Sequence, residues 1–592
     1  MKIVLQRMNL GWLNETVSQY HRVLYSRYST GTLNYVPLIG LEIHAQLAVH
    51  NKLFTRVPYV FGAPPNSLLG LHDIAMPGSM PILNRQCLEL ALVASLGLNC
   101  KINMTSRFDR KHYFYADLPA GYQITQYYQP LAEYGYLDYI WLPNSWETKI
   151  SPLYTEIVNS ITGQSYYRSR ARITRIQIEQ DSGKSLHNIQ RDCSLIDLNR
   201  SDVGLIEIVT EPDFNSSDQT AAFIADLARL LKYLKCCNAI GAFGELRVDV
   251  NVSIGQDAAN QNPRVEVKNI NCIRGVISSI DYEIKRQTDI LNSGGQITQE
   301  TRSYDPVNDV TLRMRDKELA QDYRYIPEPN LPAVKLLQNC SLCSPHSSSY
   351  SMNKSPSTRS SLSPSTSSID NKVCMQCIKQ KYQLHSINWE INLPQYKKQK
   401  LLLEYGLPMD RATVLTEHIE LFTLYESTLK YLTDNCLIHN NNETFNILIY
   451  AKELGFWTSG HLFGLIKNET LKRLPTVKEL AEFVYMNLIG QIFGPPAVEL
   501  LNLITQNREV EEHSVYELAV QHNLLLNCNE DEIKMLCERV IEDYPELVRK
   551  YLSGNEKCLK KLVQYLISNQ NYDNSKKFNP SVVEKILKKL LV

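Results

Sequence analysis

Apolar and polar residues alternate strictly from residue 39 to residue 47. The apolar set is Ile39, Leu41, Ile43, Ala45 and Leu47, and the polar set is Gly40, Glu42, His44 and Gln46. A period of two residues predicts a strand with one face in the core. The other face carries a carboxylate, an imidazole and an amide, which indicates a set of ligands. A surface strand with chance polar residues is the alternative.

Three later segments repeat this pattern, at residues 175–179, 246–254 and 264–268, and residues 204–209 predict a mostly apolar strand with one charge, Glu207. If these strands belong to one sheet, their polar residues converge on one surface. The combined set is Glu42, His44, Gln46, Glu179, Glu207, Asp249 and Glu266. Clustered carboxylates need a neutralising cation, and oxygen ligands with a single histidine suit Mg²⁺ or Mn²⁺ better than zinc. A charged sheet face that a partner covers is the alternative.

Basic residues accompany these acids, in the same strands and in an aromatic-rich segment at residues 108–126. They are Arg110, Lys111, Arg247, Arg264 and Lys268. Guanidinium and ammonium groups bind phosphate oxygens. Carboxylates, a divalent cation and basic side chains together indicate phosphoryl transfer.

Lys184 is a further candidate for phosphate binding, in the segment Ser182-Gly-Lys-Ser185. A Walker P-loop needs a glycine five residues before Gly183. That position is Ile178, so any nucleotide site here is of another type.

The length of 592 residues predicts several domains. Apolar helices are predicted at residues 84–98, at residues 216–235 and in a long segment that ends near residue 291. Residues 395–545 show helical periodicity, and residues 546–592 form a small helical tail with ten basic and four acidic residues. The formal net charge of zero argues against a free-standing nucleic-acid binder, so any RNA contact is local or shared with a partner. The sequence has no apolar run long enough to cross a membrane.

Residues 1–35 are basic and rich in hydroxyl groups, with Glu15 as their one acid. This composition is typical of a mitochondrial transit peptide and predicts a location in the mitochondrial matrix. A leader without a targeting role is the alternative.

Two Cys-x-x-Cys pairs flank a segment rich in Ser, Thr and Pro at residues 344–369. They are Cys340 with Cys343, and Cys374 with Cys377. Two such pairs are the usual ligands of a structural zinc ion, although the gap between them is long for a compact zinc ribbon. Four unligated thiols are the alternative.

Short segments in order over residues 38–335 resemble the B subunits of the aspartyl/glutamyl-tRNA amidotransferases. They include Ile39-Gly-Leu-Glu-Ile-His44, Phe108-Asp-Arg-Lys-His-Tyr-Phe-Tyr115, Asp181-Ser-Gly-Lys-Ser185, Glu207-Ile-Val-Thr-Glu-Pro-Asp213, Leu246-Arg-Val-Asp-Val-Asn251 and Glu266-Val-Lys-Asn-Ile-Asn271. Tyr405-Gly-Leu-Pro408 and Asn579-Pro580 extend the resemblance into the helical part of the chain.

The resemblance implies an α+β fold: a cradle-like mixed-sheet catalytic domain (36–335), then an all-helical tRNA-binding domain (395–545) and a small helical tail (546–592), with the Ser-rich insert at 336–394. It implies that the protein uses ATP to phosphorylate the γ-carboxylate of glutamate mischarged on tRNA(Gln). Ammonia that the amidase subunit releases from glutamine then displaces the phosphate, and a small third subunit holds the other two together.

The resemblance also implies site roles. His44, Gln180 and Glu207 correspond to Mg²⁺ ligands or their neighbours, and Glu42, Asp249 and Glu266 correspond to catalytic acids of the pocket. This chain departs from the pattern at Gln180, where many relatives have glutamate, and at Ala120, where relatives often have lysine. A four-cysteine zinc site of many bacterial relatives is absent, because its positions are Thr55, Val57, Gly70 and Asp73. The neutral Gln180 keeps open a second interpretation, a catalytically silent tRNA-binding scaffold for the amidase subunit.

Overall fold

A computed structural model describes most of the chain. The described residues are 35–143, 154–159, 162–188, 191–314, 322–339, 372–384, 389–439, 447–506, 514–526, 530–553, 555–568 and 578–591. All of the predicted transit peptide except Tyr35 lies outside these ranges, as do the Ser-rich segment, Cys340 and Cys343. The chain divides into two compact units, Met1–Gln399 and Lys400–Val592.

The first unit is built from short and long strands. They are β1 (Val36–Gln46), β2 (Lys101–Ile102), β3 (Thr105–Ser106), β4 (Asp109–His112), β5 (Tyr122–Thr125), β6 (Ala132–Trp141), β7 (Tyr154–Val158), β8 (Ser165–Gln180), β9 (Lys184–Asn188), β10 (Cys193–Asp197), β11 (Gly204–Thr210), β12 (Leu246–Gly255), β13 (Val265–Ile270), β14 (Glu300–Asp305), β15 (Val310–Arg313), β16 (Ile326–Pro327), β17 (Val334–Leu337) and β18 (Lys372–Cys374).

Strand β1 lies in the middle of a 10-stranded sheet, in the order β15-β14-β13-β12-β1-β11-β8-β6-β2, with β7 paired to β8. The pairs are antiparallel except for β13 with β14. Ile39, Leu41 and Ile43 of β1 are at most 1% exposed. Each such side chain contributes about 1.5–3 kcal/mol by leaving water, so the register of β1 is fixed by its buried face. The predicted strand is confirmed.

Three helices pack beside this sheet: α1 (Arg85–Gly97), α2 (Ser217–Tyr233) and α3 (Ile273–Asn292). Each begins where a side chain accepts a hydrogen bond from the first turn, at Asn84, Ser216 and Cys272 respectively. Such caps satisfy backbone N–H groups that have no partner within the helix. The three predicted helices are confirmed, and with the mixed sheet they give the predicted α+β class.

The remaining helices are α4 (Met375–Lys381), α5 (Pro394–Leu403), α6 (Met409–Glu417), α7 (Ile419–His439), α8 (Ile447–Phe456), α9 (Phe463–Lys467), α10 (Val477–Leu488), α11 (Pro495–Gln506), α12 (Val515–Gln521), α13 (Glu530–Asp543), α14 (Pro545–Leu552), α15 (Lys557–Ser568) and α16 (Pro580–Leu591). Among the described residues, no helix has the length and apolarity that a membrane span requires.

The last four helices share one apolar core. It contains Ile533, Cys537 and Val540 of α13 together with Leu562 of α15 and Val583 of α16. This core therefore begins near residue 530, before the boundary at residue 546 that the charge pattern suggested. A truncation that tests the tail should remove α13 as well, because cutting at residue 545 would expose its apolar side chains.

Candidate active site on the polar face of the sheet

The register of the central strands places the predicted polar residues on one face. His44 of β1 pairs with Glu207 of β11 on one side and with Arg247 of β12 on the other. Glu42 pairs with Asp249 of β12. Directly opposed residues of antiparallel strands point to the same side of a sheet, so alternation along each strand gathers these groups from three neighbouring strands.

His44, Glu179 and Glu207 form one compact group on this face. One ligand atom of each lies within 4.8 Å of the others, and His44 Nε2 is 3.5 Å from Glu179 Oε1. The second oxygen of Glu179, Oε2, is buried and has no hydrogen-bond partner. An unsatisfied buried carboxylate oxygen needs an explanation such as a missing ion. Two carboxylates and one imidazole suit Mg²⁺ or Mn²⁺, so these residues fit the metal.

The closeness of His44, Glu179 and Glu207 shifts the pKa of each of them. Burial lowers the pKa of His44, but Glu179 and Glu207 outweigh it and raise that pKa to about 9. Burial and the neighbouring charge of Glu179 raise the pKa of Glu207. Burial alone would raise the pKa of Glu179, yet Lys111 and His44 hold it below its ordinary value. The directions of these shifts show that neighbouring positive charge favours the ionised carboxylates of this group.

The structure does not bring Gln180 into this group. Gln180 Oε1 accepts the backbone N–H of Ile124 at 3.0 Å, and Gln180 Nε2 donates to Asp202 at 2.8 Å. Successive side chains of β8 point to opposite faces, so Glu179 faces His44 and Gln180 cannot. The expectation that Gln180 is a metal ligand is therefore corrected, and we assign that position to Glu179.

A second acidic group adjoins the first on β12 and β13. Lys268 Nζ lies 3.1 Å from Glu266 and 3.8 Å from Asp249. Glu42 Oε1 accepts a hydrogen bond from Asn251 at 3.2 Å. The three predicted catalytic acids and Lys268 therefore extend the polar face from β1 toward β13.

Two of the predicted basic residues face the His44 group. Burial lowers the pKa of Lys111, but Glu179 and Glu207 raise it well above its ordinary value, and Lys111 Nζ lies 4.8 Å from the centre of the Tyr323 ring. Arg247, opposite His44, donates to Asp181 at 2.9 Å. Positive charge of this kind is suited to phosphate oxygens.

Three other basic candidates lie elsewhere, and one of them, Arg264, is exposed just before β13. Arg110 forms a two-pronged ion pair with buried Glu328, at 2.5 and 2.9 Å, on the opposite side of β4 from Lys111. Lys184 is exposed on β9, in a two-stranded sheet apart from the central sheet. The structure therefore favours Lys111, Arg247 and Lys268 over Arg110 and Lys184 as phosphate ligands.

The positions of the absent bacterial zinc site do lie together. A Cβ atom on Gly70 would lie 3.2 Å from the side chains of Thr55 and Val57. Asp73 accepts the backbone N–H of Gly70 at 2.8 Å and pairs with Lys52 at 2.6 Å, with both charged side chains fully buried. The buried Lys52–Asp73 ion pair thus stabilises this loop. No pattern in the sequence marked Lys52 as a buried residue.

Of the second pair, Cys374 is buried and Cys377 is partly exposed. Cys340 and Cys343 lie outside the described residues. The four-thiol zinc site stays a prediction.

A mixed-sheet domain that gathers an imidazole, carboxylates and basic groups from several strands defines an enzyme domain suited to group transfer. A family model described as "GatB/GatE catalytic domain" matches residues 37–341, and one described as "GatB domain" matches residues 443–591.

Named relatives extend this similarity over nearly the whole chain. The mitochondrial glutamyl-tRNA(Gln) amidotransferase B subunit of Danio rerio is 34% identical over 94% of this chain and 89% of its own length. The human protein of the same name is 32% identical over 95% of this chain and 89% of its own length. The aspartyl/glutamyl-tRNA(Asn/Gln) amidotransferase B subunit of Orientia tsutsugamushi (strain Ikeda) is 43% identical over 51% of this chain and 58% of its own length.

The chain therefore belongs to the B-subunit family of the tRNA-dependent amidotransferases. It is one component of a glutamyl-tRNA(Gln) amidotransferase, a glutamine-hydrolysing carbon–nitrogen ligase of translation that works as a multi-subunit complex. The family uses ATP in amidation. The mitochondrial names of four animal relatives confirm the predicted location.

Proposed function

We propose that the cradle domain, residues 36–335, is the kinase half of this ligase. It binds ATP, Mg²⁺ and the aminoacyl end of Glu-tRNA(Gln), and it makes the γ-carboxylate of glutamate reactive by phosphorylation. The observation that carries the proposal is the His44, Glu179 and Glu207 group from three different strands, with its ligand atoms within 4.8 Å and with the charge of Lys111 acting on both carboxylates.

Phosphorylation solves a chemical problem of the substrate. A carboxylate resists attack by ammonia because oxide is a poor leaving group. A γ-carboxylate oxygen attacks the γ-phosphorus of ATP, the bond to the β-phosphate oxygen breaks, and ADP leaves. Ammonia then attacks the carbonyl carbon of the acyl phosphate, phosphate departs with the former carboxylate oxygen, and the nitrogen loses a proton. The products are Gln-tRNA(Gln), ADP and phosphate.

The chain's own residues supply position and charge, since phosphoryl transfer needs no protein nucleophile. His44, Glu179 and Glu207 would hold Mg²⁺, which when bound neutralises phosphate charge. Lys111, Arg247 and Lys268 place positive charge beside the same surface, where the equatorial phosphate oxygens gain negative charge. Glu42, Asp249 and Glu266 are the remaining acids, and Lys268 lies within salt-bridge distance of the last two.

The proposed partners follow from this chemistry. Ammonia comes from glutamine through the amidase subunit, a small third subunit joins the other two, and the helical region from residue 395 to the C-terminus holds the tRNA. The alternative, a catalytically silent scaffold, rested on a neutral Gln180 in the metal site. Gln180 lies on the opposite face of β8 from His44, and in this proposal Glu179 supplies the acidic ligand.

An assay of the assembled complex tests the proposal. It contains Glu-tRNA(Gln), ATP and ammonium chloride in place of glutamine, so that the amidase subunit is not needed for nitrogen supply. We expect release of γ-phosphate that requires both Glu-tRNA(Gln) and a divalent cation. Complex that binds Glu-tRNA(Gln) but never cleaves ATP would support the scaffold instead.

The exposed lysines of the last two helices give a separate prediction. Replacing Lys560, Lys561 and Lys589 with alanine should weaken tRNA binding and reduce the steepness of its salt dependence by roughly two to three units of log K against log salt. The measurement is a filter-binding titration at several salt concentrations. A matched triple variant in the first unit, at the exposed Lys101, Lys285 and Lys335, should retain the slope. Equal slopes in the two triple variants would contradict the tail's role.

A further inference from the structure

Two buried glutamines contact the carboxylates of the proposed metal site. Gln123, on β5, donates from Nε2 to Glu179 Oε1 at 3.0 Å and to the backbone carbonyl of Gln180 at 2.5 Å. Gln177, on β8, donates from Nε2 to Glu207 Oε2 and to Thr125 Oγ1, the latter at 3.1 Å. Both side chains are almost fully buried, at 6% and 3% exposure.

The amide nitrogen of Gln123 has only one workable orientation. Both of its neighbours, a carboxylate and a backbone carbonyl, accept hydrogen bonds and cannot donate them. Turning the amide round would place its oxygen against two other oxygens. The position therefore requires a neutral donor, and a glutamate there would repel Glu179.

One short strand organises both contacts. Gln123 and Thr125 lie two residues apart on β5, so they share a face, and β5 packs against β8. Through Gln123 the strand restrains Glu179, and through Thr125 and Gln177 it restrains Glu207. Glu179 is held by its Oε1 atom, while its buried Oε2 atom has no partner.

We propose that Gln123 and Gln177 are positioning residues of the cation site. Each fixes one ligand carboxylate in the rotamer that presents an oxygen to the shared centre with His44. The inference rests on the proposed function, since it concerns the Mg²⁺ that His44, Glu179 and Glu207 would hold. Such supporting partners typically change metal affinity by about 10–100-fold.

The test uses Mn²⁺ as the probe, titrated into the assembled complex, with free Mn²⁺ measured by electron paramagnetic resonance. We expect Gln123→Met, Gln123→Glu and Gln177→Met each to weaken Mn²⁺ binding by about 10–100-fold. Gln123→Glu keeps the shape of the side chain, so it remains informative if a methionine variant does not fold. Gln126→Met is the matched control: Gln126 is equally buried, but it contacts Ser106 and the backbone of Ile178. It should lower the melting temperature and leave Mn²⁺ affinity unchanged.

A second readout separates positioning from general damage. In the ammonium-dependent assay, the Mg²⁺ concentration for half-maximal rate should rise in the Gln123 and Gln177 variants, and the rate at saturating Mg²⁺ should largely recover. Equal Mn²⁺ affinity in wild type and in all three glutamine variants overturns the inference, as does an equal loss in Gln126→Met. If His44→Ala abolishes Mn²⁺ binding while the glutamine variants retain it, the positioning role alone fails. A wild-type complex without Mn²⁺ affinity refutes the metal site itself.

Discussion

Glu179→Ala is expected to reduce ATP cleavage dependent on Glu-tRNA(Gln) by about 1000-fold. The change removes a proposed metal ligand and the carboxylate that pairs with His44 and attracts Lys111. A bound cation supplies several kcal/mol of charge stabilisation in phosphoryl transfer, and about 4 kcal/mol corresponds to this factor. His44→Ala and Glu207→Ala should have effects of similar size. The measurement is γ-phosphate release by the assembled complex with ammonium chloride as nitrogen source.

Glu211→Gln is a suitable control for this series. Glu211 follows β11 directly, but its carboxylate accepts a hydrogen bond from Thr174 at 2.8 Å and lies outside the His44 group. It should retain near wild-type activity. Unchanged ATP cleavage in all three ligand variants would refute the site assignment, even if the family membership stands.

Lys52→Met is expected to cause the largest loss of stability. It leaves Asp73 without its cationic partner, and the side chains of both residues are fully buried. Breaking a buried pair on one side costs about 3–5 kcal/mol, because the remaining charge is uncompensated. For a domain of this size we expect the melting transition that includes the first unit to fall by roughly 4–8 °C, as followed by scanning calorimetry.

Two further variants separate the buried charge from other causes. Lys52→Met combined with Asp73→Asn removes both charges and keeps an oxygen for the backbone N–H of Gly70, so it should recover much of the loss. Lys400→Met breaks a partly exposed pair with Glu426, at 3.4 Å, and exposed pairs contribute at most about 1 kcal/mol. A melting temperature of Lys52→Met equal to that of the wild type would contradict a stabilising role of the Lys52–Asp73 ion pair.

The central strands could be predicted from the sequence because the hydrophobic effect imposes the pattern directly. Alternation in β1 and β12 identified the buried face, and the residues on the other face follow from geometry. The same alternation placed Glu179 with Gln177 on the polar face of β8. The expectation for Gln180 came from the resemblance, and the strand periodicity gave the better answer.

The contacts around the site could not be predicted in this way. Gln123 meets Glu179 across 56 residues, and Arg110 meets Glu328 across 218 residues. Such pairs depend on the packing of β5 against β8 and on the pairing of β4 with β5 and β16, which no local pattern encodes. The positive charge of Arg110 predicted a phosphate ligand, yet Arg110 lies on the opposite side of β4 from Lys111 and pairs with Glu328. Lys52 gave no signal either, since a single lysine in a loop is normally exposed.

The central claim is that the γ-carboxylate passes through an acyl phosphate made in the cradle domain. The most direct test supplies the assembled complex with Glu-tRNA(Gln) that carries ¹⁸O in both γ-carboxylate oxygens, together with ATP, Mg²⁺ and ammonium chloride in ordinary water. Mass spectrometry of the released phosphate should show one ¹⁸O atom for each Gln-tRNA(Gln) formed, because phosphate leaves with a former carboxylate oxygen. Phosphate without ¹⁸O, released while Gln-tRNA(Gln) accumulates, would contradict the account.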